Sequence, residues 1–149
     1  MIVQIIGLPG AGKTALAISL KERLNAIHFN ADEVRATLCS DLGFSNEDRI
    51  EQARRLGEMS RLVAGQGYDI VVDFVCPTVE TREAFGKPDI LIWVDRIKAG
   101  RFEDTNAIWE APLGEVDLHI PHGMTVEQET QYVIDSFQLF DWKNSLKNK

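Results

Sequence analysis

The stretch IIGLPGAGKTALA, residues 5–17, decides how the rest of the chain is interpreted. An apolar run breaks into three glycines and then resumes at helical spacing, which predicts a strand, a tight turn and a helix. Residues 7–14 also fit the phosphate-binding pattern G-x-x-x-x-G-K-[ST], known as Walker A. Glycines let successive backbone N–H groups converge on phosphate oxygens, and the helix N-terminus adds positive partial charge. The stretch predicts a nucleotide-phosphate site; a glycine turn without a ligand is the alternative.

Two side chains of this loop have specific expected roles. Lys13 is expected to reach the β- and γ-phosphates of ATP and to act in catalysis, and Thr14 to offer its hydroxyl to Mg²⁺. The loop alone does not choose among phosphoryl transfer to a small molecule, NTP hydrolysis as a switch, and nucleotide sensing. The sequence IWVDRIKAG, residues 92–100, is not a guanine-reading N/T-K-x-D motif, which disfavours a GTPase. The predicted nucleotide-binding residues are Gly7, Leu8, Pro9, Gly10, Ala11, Gly12, Lys13 and Thr14.

Composition indicates one globular domain. The chain has 149 residues, of which 44% are apolar, and carries a net charge of −7 from 16 basic and 23 acidic residues. An acidic chain is disfavoured as a nucleic-acid or membrane-surface binder. No apolar run reaches the length of a membrane span, and the N-terminus does not resemble a signal peptide. Two cysteines, Cys39 and Cys76, indicate reduced thiols rather than a disulfide framework, so we expect a cytoplasmic protein.

Apolar strands alternate with amphipathic helices along the chain. This order predicts an α/β fold of the P-loop NTPase type, a three-layer sandwich with a five-stranded parallel sheet, in one domain over residues 1–149. Residues 143–149 are expected to be a frayed tail. Strands are predicted at 2–6, 26–32, 68–75, 89–95 and 115–120; helices are predicted from Lys13, at 33–39 with Asp32 as cap, from Ser45 or Asn46 to about 65, at 78–85 with Thr78 as cap, and at 125–140 with a Thr125–Gln128 capping box.

Three of these strands end in candidate chemistry. Gly7 follows the first, Asp32 the second, and Asp73 lies near the end of the third. Ligands of parallel sheets bind at the carboxyl ends of the strands, so one cleft can hold all three. Asp73 is expected to hold a magnesium-bound water, which makes Thr14 and Asp73 the predicted metal residues. The alternative for Asp73 is a buried aspartate of structural use.

Residues 29–62 resemble the adenylyl-sulfate kinase (APS kinase) family, P-loop enzymes that phosphorylate the 3′-hydroxyl of adenosine 5′-phosphosulfate with MgATP. The family pattern runs D-G-D-N-V-R, D-L-G-F-S, D-R-x-E-N and R-R. Here the chain reads N-A-D-E-V-R at 30–35, D-L-G-F-S at 41–45, D-R-I-E-Q at 48–52 and R-R at 54–55. Later, FEDTNAIWEAP at 102–112 is similar to F-T-G-I-D-D-P-Y-E-A-P, and VCPTVETR at 75–82 to I-S-P-Y-R-E-N-R.

The resemblance implies an acceptor site. Asp32 matches a carboxylate near the acceptor hydroxyl, with a helix cap as the alternative; Arg35 and Arg49 match residues that grip the phosphosulfate, with a solvated helix face as the alternative. Phe44 and Phe102 match aromatic contacts, with core packing as the alternative. The substrate-binding residues that the resemblance implies are Asp32, Arg35, Phe44, Arg49, Gln52, Val75 and Phe102.

Other residues are expected to have no part in the site. Trp93 is expected in the core, Arg54 and Arg55 on a solvated face, and His28, His119 and His122 in structural or exposed places.

The chain also departs from the family pattern. Gln52 stands where the family has asparagine, Cys76 where it has serine, and Val79 where it has arginine, whereas Arg82 keeps its place. The family's basic lid, of the type R-D-P-K-G-L-Y-K-K-A-R, is reduced here to DRIKAGR at 95–101. Arg96, Lys98 and Arg101 are the nearby replacements for the lid cations, and Arg96 joins Lys13 and Asp32 as a predicted catalytic residue.

The expected function is a small-molecule kinase that uses ATP and Mg²⁺, with adenylyl sulfate or a similar molecule as acceptor. One alternative is a P-loop kinase for another acceptor, such as a nucleoside, a sugar, an antibiotic or a polynucleotide 5′-end. Another is a nucleotide-binding regulatory module that has lost transfer, which the short lid favours. No membrane partner is expected, and a homodimer is kept as a candidate assembly.

Overall fold

A five-stranded parallel sheet organises the chain. The computed structural model describes residues 1–97, 99–100 and 102–148. The strands are β1 (Ile2–Ile6), β2 (Ile27–Asn30), β3 (Ile70–Asp73), β4 (Ile90–Asp95) and β5 (Leu118–Pro121), in the order β2-β3-β1-β4-β5. Every neighbouring pair is parallel. The predicted sheet is confirmed.

Helices cover both faces of the sheet, and the strands are apolar on both faces for that reason. One core cluster packs β1 and β4 against the helices that carry Leu16 and Val133, and a second packs β3 against those that carry Leu56 and Phe85. The three-layer prediction is confirmed. The helices are α1 (Lys13–Leu24), α2 (Ala31–Ala36), α3 (Asn46–Ala64), α4 (Val79–Phe85), α5 (Glu103–Ile108), α6 (Val126–Phe137) and α7 (Trp142–Ser145).

Side-chain caps fix where most helices begin. Ser45 caps α3, and Thr125 and Gln128 form the predicted capping box of α6. The prediction for α2 was wrong. The side chain of Asn30, not of Asp32, accepts the hydrogen bond from the Glu33 N–H, so α2 begins two residues earlier than expected. Asp32 lies in the first turn of α2 with an exposed side chain that is not used as a cap.

Gly57 lets α3 and α4 approach closely. A Cβ at this position would collide with the carbonyl of Phe85, the last residue of α4. Only glycine fits without moving one helix, so this contact sets the position of α4 beneath the strand that carries Asp73. The Phe85 ring packs in turn against Phe74, with the ring centroids 5.6 Å apart.

The C-terminal segment, which the sequence predicts to be a frayed tail, is helical over the residues that the structure describes. Trp142–Ser145 form α7, and a short 3-10 helix continues over Leu146–Asn148. Asp141 caps α7 through the Asn144 N–H and accepts a 2.8 Å hydrogen bond from Arg23 Nε of α1. That ion pair ties the segment to the body of the domain.

Helix α5 was not predicted because its six residues carry too short an apolar pattern to identify. Among the described residues, no helix is long and apolar enough to cross a membrane.

Candidate active site

One cleft of about 380 Å³ opens at the carboxyl ends of the strands. It brings together nearly all of the residues predicted for the site. Gly7, Leu8 and Ala11 of the glycine loop do not line the cleft surface, and neither does Arg96. The lining residues from the predicted set are Pro9, Gly10, Gly12, Lys13, Thr14, Asp32, Arg35, Phe44, Arg49, Gln52, Asp73, Val75 and Phe102.

The glycine loop is held in a folded turn. The Ala11 N–H donates to the Leu8 carbonyl across 3.1 Å, and the Lys13 ammonium donates to the same carbonyl across 2.9 Å. Gly12 adopts a left-handed φ of 91°, immediately before α1 begins. Lys13 therefore lies at the positive end of a helix with its side chain buried against its own loop, an arrangement suited to phosphate oxygens.

Asp73 is the centre of a polar cluster beside the loop. Its Oδ2 accepts hydrogen bonds from the Thr14 hydroxyl at 2.6 Å and from the Asn30 amide at 3.1 Å. Its Oδ1 contacts Nε2 of His28. The carboxylate is buried and its two oxygens are engaged by three side chains, so its orientation toward Thr14 is fixed.

Sequence reasoning missed His28 and Asn30 as parts of this cluster. The register pairs Asn30 with Asp73 on adjacent strands, and His28 lies two residues earlier on β2, so both side chains leave the same face of the sheet. The sequence did contain a signal for this cluster. His28 and Asn30 are two residues apart at the end of a predicted strand, so both are expected on the same face as a neighbouring metal ligand. His28 had been expected only to be structural or exposed.

The other wall of the cleft carries two guanidinium groups around one aromatic ring. The Cζ atoms of Arg35 and Arg49 lie 4.4 Å and 5.8 Å from the Phe44 ring centroid. Arg35 also donates to the Gly43 carbonyl, and Arg49 donates to the Phe44 carbonyl across 3.0 Å. Burial, and then the positive charge of Arg49, lower the pKa of Arg35. Two cations this close favour an anion between them.

Phe44 is 65% exposed and Phe102 is 52% exposed, so core packing explains neither ring. Phe102 immediately precedes α5, whose Asp104 accepts a 3.2 Å hydrogen bond from Arg49. This contact ties the segment after the shortened lid to the wall that carries Phe44. Exposed aromatic rings lining a cleft favour contact with a ligand.

Two of the three positions that depart from the family pattern, Gln52 and Cys76, line the floor of the cleft, whereas Val79 does not. Arg82, which keeps the family residue, contacts this floor. Gln52 is buried and donates to the Ala31 carbonyl across 2.9 Å. Arg82 is buried and donates to the carbonyls of Cys76 and Glu110, each across 2.9 Å. Cys76 adopts a left-handed φ of 48° and has a buried thiol, and burial raises its pKa to about 12. The floor is thus braced by hydrogen bonds to its backbone.

The remaining predictions concern residues outside the cleft lining. Trp93 is in the core, as predicted, with its ring 4.6 Å from that of His119. Arg54 and Arg55 pair with surface carboxylates of Glu51 and Asp41. Lys98 and Arg101, the other proposed lid replacements, lie outside the described residues.

Arg96 lies against the glycine loop from the outside. A Cβ placed on Gly12 would lie 2.6 Å from its Nη1. The guanidinium is therefore next to the phosphate-binding turn without lining the cleft surface.

The residues near Asp73 suit a magnesium ion better than a metal held by protein ligands alone. Within residues 1–97, 99–100 and 102–148 there is no group of three or more His, Cys, Asp or Glu side chains that could hold a metal ion. Thr14 and Asp73 instead offer oxygen atoms beside the phosphate turn. Mg²⁺ is commonly held this way, by one or two protein oxygens together with phosphates and waters.

A parallel sheet with a Walker A turn after β1 and a fixed carboxylate at the end of the adjacent β3 defines a protein of the P-loop nucleotide-binding class. Residues 1–88 match the model of the family described as adenylylsulphate kinase. The chain belongs to this family, as the sequence motifs predicted.

Individual relatives agree with this assignment. An adenylyl-sulfate kinase of Shewanella sp. is 33% identical over 132 residues, covering 85% of this chain and 60% of the relative. An adenylyl-sulfate kinase of Vibrio cholerae is 41% identical over 81 residues, which cover 51% of this chain and 38% of the relative. The chain thus spans about 60% of the length of the first relative. The structure of the Mycobacterium tuberculosis APS kinase CysC in complex with AMPPNP and APS has the same fold, with a TM-score of 0.80 at 23% identity, over 92% of this chain and 96% of that one.

Proposed function

We propose that the chain transfers the γ-phosphoryl group of MgATP to a hydroxyl of adenylyl sulfate or a closely related acceptor. The observation that carries this proposal is that one cleft holds both a phosphate-binding loop and, facing it, a wall with two arginines, an exposed phenylalanine and Asp32. A nucleotide-binding module without transfer has no evident use for that second wall.

ATP would occupy the half of the cleft formed by the glycine loop. Backbone N–H groups and the start of α1 would bind the phosphates, and Lys13 would exchange its hydrogen bond to Leu8 for one to the β- and γ-phosphates. Mg²⁺ would be bound by Thr14, with Asp73 holding a coordinated water; the ion neutralises charge on the moving phosphoryl group. Arg96, beside Gly12, would supply a further cation there.

The acceptor would occupy the opposite half. Arg35 and Arg49 are suited to the phosphosulfate because a guanidinium fork binds such oxyanions with two parallel hydrogen bonds. The exposed rings of Phe44 and Phe102 would contact the adenine. Gln52 and Val75 would complete this wall.

Asp32 would orient the acceptor hydroxyl and accept its proton as the new bond forms. Its side chain lines the cleft and is not used as a helix cap, which supports this role. Phosphoryl transfer passes through a loose transition state, so the larger part of its contribution would be orientation and electrostatics.

A P-loop kinase for another acceptor is the second candidate, and the short lid favours it. Residues 95–101 replace a long basic segment, so the acceptor half has less cover than the family pattern implies. A larger or more exposed acceptor would fit such a site.

Titration with ATP and Mg²⁺, with and without adenylyl sulfate, separates these candidates. We expect ATP to bind, adenylyl sulfate to bind in its presence, and ADP to be released as 3′-phosphorylated product forms. Binding of both ligands without product would favour the regulatory module. Binding of ATP alone would favour a kinase with another acceptor, and failure to bind ATP would contradict the proposal altogether.

We also propose a cytoplasmic location, which the two free, buried cysteines support. The related hexameric APS kinase from Thiobacillus denitrificans indicates that family members assemble. For this chain a homodimer stays a prediction.

A further inference from the structure

Glu129 is an unusual residue for the interior of this domain. It lies in α6 with 0% of its surface exposed, and neither carboxylate oxygen accepts a hydrogen bond from any residue that the structure describes. Its neighbours on the same face of the helix, Val133 and Ile134, are apolar and pack in the core. A buried carboxylate without donors destabilises the fold unless a cation compensates it.

The compensating cation is Arg96. Its Nη1 lies 3.3 Å from Oε1 of Glu129, which makes an ion pair without the geometry of a hydrogen bond. The same guanidinium is the group that a Cβ on Gly12 would meet. Burial raises the pKa of Glu129, and the charge of Arg96 opposes that rise. Arg96 thus connects the buried carboxylate of α6 with the phosphate-binding loop.

Fold stability alone does not explain this pair. Taking the Glu129 carboxylate out of water costs desolvation that its pair with the partly exposed Arg96 must offset, and an apolar side chain of similar size in its place is commonly as stable or more so. The guanidinium also lies near the N-terminus of α1, where the helix dipole is positive and a cation is disfavoured. A cation held at that place becomes favourable when an anion binds there.

We propose that Glu129 is a positioning residue that holds the Arg96 guanidinium beside Gly12, so that Arg96 meets the phosphates of the bound nucleotide during transfer. The inference rests on the proposed function, because it requires ATP in the glycine loop. The proposal also explains how Arg96 stays fixed beside Gly12 although residues 95–101 replace the long lid of the family. The anchor comes from α6, a capped helix of twelve residues, instead of from the lid.

The test is Glu129→Gln, which keeps the size of the side chain and removes its charge. We expect turnover to fall about tenfold, because an unfixed guanidinium spends less time in the productive place, while the Kd for ATP changes less than about threefold. Turnover is measured as ADP release in the presence of adenylyl sulfate, or as slow release to water if that acceptor is not used. Glu127→Gln, on the exposed face of the same helix, is the matched control and should match the wild type.

A double-mutant cycle distinguishes positioning from a structural role. Arg96→Ala should lower turnover at least as much as Glu129→Gln, and the double variant should be no slower than Arg96→Ala. The double variant should also be more stable to heat than Arg96→Ala, which leaves the buried carboxylate without its cation. Additive losses, or wild-type turnover in Glu129→Gln, would overturn the proposal.

Two further outcomes are informative. If Glu129→Gln does not fold, Glu129→Asp keeps the charge but withdraws it by one methylene, and the same loss of turnover at unchanged ATP affinity is expected. If the wild-type protein does not bind ATP, the proposed function fails and this inference fails with it. ATP binding and turnover that are normal in both the wild type and Glu129→Gln would overturn only the role of Glu129.

Discussion

The two halves of the cleft are built differently. In the nucleotide half, Lys13 and Asp73 are buried and their polar atoms already bond to the protein, to Leu8 in one case and to Thr14 and Asn30 in the other. In the acceptor half, the Phe44 and Phe102 rings are more than half exposed, and Arg49 bonds to an exposed carboxylate of α5.

This difference indicates that the nucleotide half sets the rate of transfer and the acceptor half sets the selectivity for the acceptor. A preformed phosphate site needs little reorganisation when ATP binds, so its contribution to the rate should be the same for any acceptor. The exposed half must order its side chains around the acceptor, and that cost depends on what binds. Changes in the nucleotide half should therefore lower turnover, and changes in the acceptor half should mainly raise the KM for the acceptor.

The largest effect is expected for Lys13→Ala. In the proposed mechanism Lys13 is a fixed cation on the moving phosphoryl group, so its removal should lower turnover by about 100-fold or more, because such electrostatic contacts are worth several kcal/mol. The fold should persist, since the main-chain turn keeps its Ala11–Leu8 hydrogen bond. ADP release measures turnover and a thermal melt measures the stability of the fold. Lys21→Ala, on the exposed face of α1, is the control. Wild-type turnover in Lys13→Ala would show that Lys13 has no role at the phosphate site.

Asp32→Asn should have the next largest effect, since Asp32 is the residue of the acceptor wall that we propose takes part in the chemical step. We expect turnover to fall about 10- to 100-fold while ATP affinity is nearly unchanged, because in the proposed mechanism the carboxylate acts on the acceptor hydroxyl. Equilibrium ATP binding and product formation are measured on the same preparation, and Glu33→Gln, one residue along α2, is the control. Loss of ATP binding with unchanged turnover per bound ATP would assign Asp32 to the nucleotide half.

How much the sequence predicted also differs between the halves. The nucleotide half is a short contiguous motif between a strand and a helix, and its placement follows from local rules, as Gly12, Lys13 and Thr14 show. The five strands and the Thr125–Gln128 capping box were predictable for the same reason.

Two of the misses depend on contacts between residues distant in sequence, and a third is a local choice between two caps. His28 joins the Asp73 cluster through strand order, which the sequence does not specify, and Glu129 meets Arg96 across two elements. The start of α2 was placed too late because Asn30 and Asp32 are both good caps, and propensity alone does not choose between them.

Phe44→Ala tests the acceptor half, with a smaller expected effect. The ring lies under both guanidinium groups, so its loss should leave Arg35 and Arg49 less ordered and raise the KM for adenylyl sulfate about fivefold. Turnover at saturating acceptor and the KM for ATP should change less than about twofold. Leu38→Ala, another exposed apolar side chain in the turn after α2, is the control. A fall in turnover with an unchanged acceptor KM would contradict the division between the halves.

The smallest effect is expected at Cys76, which lies on the floor between the two halves where the family pattern has serine. Its thiol is buried and accepts a 3.6 Å hydrogen bond from Gln4, so Cys76→Ser should keep turnover within about twofold of the wild type. A hydroxyl of similar size can accept the same hydrogen bond. A large gain in turnover would mean that the serine of the family has a catalytic part that this chain has lost.

The wild-type thiol offers an independent measure of the same floor. Burial raises the pKa of Cys76 to about 12, so at pH 8 only about one thiol in 10⁴ is ionised, and thiolate is the reactive form. An aromatic disulfide reagent should therefore modify Cys76 no faster than the domain unfolds, and saturating ATP should slow modification further by stabilising the folded state. Cys39 is also buried, so Cys39→Ala isolates the signal. Rapid modification in that variant would mean that the floor opens in the folded protein, and the contrast between a preformed half and an adaptable half would then no longer hold.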